Sequence, residues 1–210
     1  LLDHCETLGD RFALLSLPFD LANQGDRTRE QIVAWRRLFD SRYGALYAPW
    51  LDVVDPRRLS SGIDGTRRIP ACGHIAGVIA RTDLESGVHH APGHRVLHGV
   101  TDLSRVVGDD DHGELNLSGV NVLRGEFGRP PTLSGARTLS FDPQWRFINV
   151  MRLVMTVRKA AEIALRWVVF EPNDHTTRAI IAATLNGLLQ LFFERGAFKG
   201  ATPDESYFVR

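Results

Sequence analysis

Cysteine is nearly absent. Cys5 and Cys72 stand far apart with no paired spacing, which excludes a disulfide framework and a zinc ribbon and points to a reducing compartment. Neither sign of charge is in excess. The 25 Lys+Arg balance 25 Asp+Glu, so the basic footprint of a nucleic-acid binder or of a protein seeking an anionic membrane is missing. No apolar run reaches the length of a membrane span. The opening LLDHCETLGD lacks the basic-then-apolar layout of a secretion signal, and the expectation is a protein made in the cytosol. Catalytic signatures are missing too. No serine sits in a GxSxG elbow, neither cysteine has a histidine at suggestive spacing, and there is no GKS/T or GxGxxG phosphate loop.

What is present is a chain of 210 residues, long enough to bury about 70% of its unfolded surface without disulfide or metal. The longest segment of mutually consistent signals is GARTLSFDPQWRFINVMRLVMTVRKAAEIALRWVVFEPN, residues 135–173. Asp142 is a good N-cap and Pro143 fits the first helical position. Val150, Leu153, Val154, Val157, Ala160, Ala161, Ala164, Trp167 and Val168 then recur at three- and four-residue intervals. This predicts one buried stripe on a helix of roughly 25 residues, about 35 Å long. Arg152, Lys159, Glu162 and Arg166 fall opposite, with Glu162 placed to pair with Arg166. Glu171-Pro172 ends the run.

Upstream, Arg11–Pro18 predicts a buried strand, and Thr28 with Gln31 forms a capping-box pair opening a helix. Its apolar face is Ile32, Trp35, Leu38 and Phe39, and it is expected to stop near Tyr43-Gly44. Residues 45–55 predict the next strand, with Pro49 at an edge or bulge. Strand, helix, strand in this space suggests a parallel βαβ unit. Residues 56–65 suggest a surface loop. In the helix that follows, Gly73, Ala76, Gly77 and Ala80 line up small residues for close approach of another backbone. The strand near 120–127 is expected to form a hairpin with TLSGARTLS across Gly128–Pro131. Arg137, mid-strand, is expected in a structural ion pair. Asp174 caps a second long helix with a stripe of Ile181, Leu185, Leu188, Leu189 and Phe192, stopped by Gly196. The two C-terminal helices are expected to pack on each other and on the sheet, and residues 206–210 to begin a strand. The fold class is thus α/β, a mixed sheet packed by helices, two of them long and C-terminal.

Two clusters raise the question of metal. His89, His90, His94 and His98 share one short window, but Pro92-Gly93 breaks any helix that could align two of them, and the spacing is not HExxH. Asp109–Asp111 lacks the glycine and closing glutamate of an EF-hand and is expected at a loop tip. No catalytic, cofactor-binding or metal residue is assigned. The competing class is a metal-dependent hydrolase using His89, His90, His94 or His98.

Read together, Tyr47, Pro49, Trp50, Asp52 and Asp55-Pro56, then RRIPACGHIAGVIARTDLESGV with APG at 91–93, LNLSGVNVLR, GARTL with its capped helix, EPN at 171–173 and FERGAFKGATPDESYFV resemble the conserved core of the contractile tail sheath family. That family occurs in contractile-tailed bacteriophages and in phage-tail-like injection particles. The resemblance implies a structural subunit, without enzymatic activity or cofactor, that polymerises helically around an inner tube and contracts to drive it through a target envelope. The implied partners are copies of itself, the inner tail tube protein, and baseplate and tail terminator proteins, with no nucleic acid and no membrane. A baseplate or tube component of the same particle is a further alternative. Residues 1–210 are expected to be one core module, a fragment whose N- and C-terminal arms exchange strands between neighbours. A rigid block with mixed-sign faces suits docking in two registers, and zero net charge avoids self-repulsion in a crowded polymer.

Overall fold

In a computed structural model describing residues 1–23, 29–60, 65–125 and 129–210, the chain forms two compact units, Leu1–Met151 and Arg152–Arg210. In the first, α1 (Leu2–Leu8) leads into β1 (Ala13–Ser16). After α2 (Phe19–Asn23) and α3 (Arg29–Arg36), β2 (Gly44–Ala48) returns parallel to β1, with Ala13 opposite Gly44 and Ser16 opposite Tyr47. The expected βαβ unit is present. Thr28 lies outside the described residues, and with it the capping pair. The helix stops at Arg36 rather than near Tyr43, for a reason remote in sequence. Arg36 is buried and donates from Nη1 to Phe39 O at 2.7 Å and from Nη2 to Leu139 O at 2.8 Å. The chain turns at Phe39, whose carbonyl this guanidinium holds, and Leu38, expected on the buried face, is 74% exposed.

The single strand expected over 45–55 is two strands in two sheets. β3 (Leu51–Val54) belongs to a second sheet, and Pro49, after a cis Ala48–Pro49 peptide, stands between the two rather than at an edge position or a bulge. Next come α4 (Pro56–Leu59), within the expected loop, and β4 (Thr66–Ile69); residues 61–64 lie outside the described residues. α5 (Cys72–Glu85) leads towards β5 (Val100–Leu103), and β3 is the centre of an antiparallel sheet ordered β4-β3-β5. Asp109–Asp111 open α6 (Asp109–Leu117) instead of a loop tip. Three carboxylates in a first turn face the positive end of the helix dipole, and two are paired, Asp109 with Arg124 and Asp111 with Arg29. β6 (Val120–Arg124) and β7 (Thr132–Ser134) form the expected hairpin, with Leu123 opposite Leu133. Gly128 of its connection is not among the described residues.

The four-stranded sheet is mixed, ordered β1-β2-β6-β7, with β1, β2 and β6 parallel and β7 antiparallel. Its central strands are covered on both faces, as a parallel sheet requires. From β2, Ala45 and Tyr47 enter a core with Ile75, Val78 and Ile79 of α5, while Leu46 and Ala48 enter a second with Ile32 of α3 and Leu115 of α6. In β6, Leu123 joins the first core and Val120 and Val122 the second.

Asn121, fully buried in β6, fixes the next segment. Its Nδ2 donates to Leu46 O at 3.1 Å and Arg137 O at 2.8 Å, and its Oδ1 accepts from Arg137 N at 2.6 Å. Arg137 makes no ion pair among the described residues. Its Nε donates to Asn116 Oδ1 at 2.8 Å and its guanidinium lies 6.0 Å from the Phe147 ring centroid. A neutral amide satisfies this donor where a carboxylate was expected.

The same segment decides where the long helix begins. Asp142 does cap, accepting from Gln144 N at 2.9 Å, but the capped element is a 3-10 turn, Pro143–Trp145. Thr138 N then donates to Arg146 O, Thr138 Oγ1 to Trp145 O and Ile148 N to Ala136 O. These bonds to residues 136–138 take groups a continuing helix would have used, so α7 (Ile148–Ala164) starts six residues later than its cap. It ends in a second 3-10 turn, Arg166–Phe170.

In the second unit, Asp174 caps α8 (His175–Glu194), accepting from Thr177 N at 2.8 Å. Gly196, at φ 72°, supplies the stop, with Ala197 N donating to Phe192 O at 3.0 Å. α9 (Pro203–Ser206) occupies the start of the segment expected as a strand.

Candidate assembly surfaces

The four histidines do not converge. The His89 and His90 rings lie side by side at a 48° tilt, centroids 4.4 Å apart, and His89 O accepts from Asn149 Nδ2 at 2.9 Å. His94 is held by its backbone, N donating to Leu133 O at 2.8 Å. His98 Nε2 lies 2.8 Å from Arg81 Nη1, and because a guanidinium only donates, the ring accepts there. Burial, aided by the neighbouring His90, pulls the His89 pKa below its ordinary value. Among the described residues no three His, Cys, Asp or Glu side chains are grouped to hold a metal ion. The cysteines are free, Cys5 buried and Cys72 with its Sγ 3.0 Å from Ser16 Oγ.

Two surfaces stand out instead. The small-residue face of α5 is solvent-facing: Gly73, Ala76, Gly77 and Ala80 are exposed, and a Cβ on Gly73 or Gly77 would meet nothing within 4 Å. The close packing expected of these residues is not made within the described chain. Gly73 and Gly77, with Ile69, Val96 and His98, border an open groove of about 540 Å³.

The second surface belongs to the C-terminal helices. Of the stripe expected to be buried on α7, Val150, Val154 and Trp167 are exposed and the remainder half-buried; Ile148 and Met151 are the buried residues. The expected α8 stripe is half-buried throughout, and Ile180 and Leu191 beside it are exposed. Burial of this stripe was expected from periodicity alone. The ion pair on α7 is Lys159 with Glu162 at 3.2 Å, not Glu162 with Arg166, because Arg166 has left the α-helix for the 3-10 turn. Glu171 closes that turn, and Val169 and Phe170 are 76% and 93% exposed. Downstream of α8, the GAFKGATPDESY stretch folds back on the helix. Phe198 sits between Phe192 and Tyr207 at 6.3 and 5.9 Å, and Tyr207 Oη donates to Gln190 Oε1 at 2.8 Å.

A family model for the phage tail sheath protein central domain matches residues 21–139, and one for the phage tail sheath C-terminal domain matches residues 140–209. The chain belongs to the phage tail sheath family. A putative prophage major tail sheath protein of Pseudomonas aeruginosa (strain UCBPP-PA14) is 31% identical over 149 residues, covering 68% of this chain and 36% of that protein. Among solved structures, the anti-feeding prophage helical sheath in its contracted state is 32% identical with a TM-score of 0.77, over 95% of this chain and 50% of that one. The PVC sheath complex of an extracellular contractile injection system, also contracted, is 27% identical with a TM-score of 0.81, over 95% of this chain and 53% of that one. The chain therefore spans about a third of that curated sheath relative and about half of these solved sheath chains. No described helix is long and apolar enough to cross a membrane.

Proposed function

We propose that this chain is the core of a contractile tail sheath subunit, which polymerises helically around an inner tube and contracts to drive it through a target cell envelope. The observation that carries this is the likeness, over 95% of the chain, to sheath chains from two contracted assemblies at 27% and 32% identity. Exposed apolar residues on α7 and α8 support it, since a helix face left uncovered within a chain is available to another chain. The work of such a subunit is a change of packing repeated in every copy, and it calls for no catalytic group or cofactor. The partners are copies of the same chain, the inner tail tube protein, and baseplate and tail terminator proteins. The setting is a phage tail or phage-tail-like particle assembled from protein made in the bacterial cytoplasm.

We further propose that residues 1–210 act as one module whose couplings come from arms on either side. Strand addition by such arms supplies main-chain hydrogen bonds that side-chain contacts on the remaining faces do not replace. The test is negative-stain microscopy and light scattering of the 210-residue chain and of a chain extended through both flanks, each produced with a tube protein from its genetic neighbourhood. Sheath-like tubes are expected from the extended chain, and a monomer or loose dimer from the shorter one. Absence of tubes in both preparations overturns the sheath reading, and tubes from the shorter chain overturn the arm mechanism.

A further inference from the structure

We draw no further inference here: the strongest candidate, the open groove beside the exposed small-residue face of α5, bordered by Gly73, Gly77, Val96 and His98, carries nothing because nothing in the structure shows what covers it.

Discussion

Helices α5 and α8 both carry regular apolar stripes, yet they meet different fates. On α5, Ile75, Val78 and Ile79 are at most 7% exposed because two sheets close over them. On α8, every residue of the corresponding stripe keeps partial exposure, and within α7 burial ends at Met151, where the first unit ends. Periodicity identifies a face that favours leaving water. It does not say whether the cover comes from the same chain. The first unit buries its α5 stripe within the chain, whereas the second leaves its helix stripes partly exposed.

The largest effect that would sharpen this contrast is Leu123→Ala in β6. Leu123 is fully buried in the first core, so truncation should cost about 3 kcal/mol in a denaturant titration. Asn121→Ala should follow at about 2 kcal/mol, since it strands groups of Leu46 and Arg137 that the buried amide now satisfies. Hydrogen exchange at Arg137 N should accelerate with it. Val157→Asp, on the half-buried stripe of α7, should cost only about 1 kcal/mol in the isolated chain. A loss exceeding that of Leu123→Ala would break the comparison by showing that the α7 stripe is covered. Asp142→Ala should cost about 0.5–1 kcal/mol, because the cap serves a single 3-10 turn. The smallest effect is the pH dependence of His89. Its folded-state pKa is lowered, so the fold favours the neutral ring: the contribution is complete above the ordinary value of 6.5 and declines as pH falls below it. A thermal-melt series from pH 7.5 to 5, roughly spanning the histidine range, should show a shallow loss that His89→Asn flattens.

Local signals located the longer helices and several strands. The βαβ unit, the β6-β7 hairpin, the caps at Asp142 and Asp174 and the stop at Gly196 depend on a few neighbouring residues, and those residues carry the information in their own chemistry. The family resemblance is legible for a related reason, because each of its motif blocks is a contiguous stretch of sequence. Missed was the open groove beside α5, whose lining residues come from separate stretches between Ile69 and His98. The sequence marks Arg137 as a strand residue in need of a partner, and the partner it finds is Asn116 rather than a carboxylate.

What the sequence determined by itself is therefore the longer elements and their apolar faces, since propensity, capping and period are short-range properties. Tertiary structure alone decided where α3 stops, which sheet residues 51–54 join, and where α7 begins. In each case a partner distant in sequence fixes the segment: Leu139 O accepts from the Arg36 guanidinium, Leu103 and Ile69 are ladder partners of Leu51, and Ala136 O accepts from Ile148 N. It also decided which stripes are core, because burial is a relation between two surfaces and one segment specifies only its own.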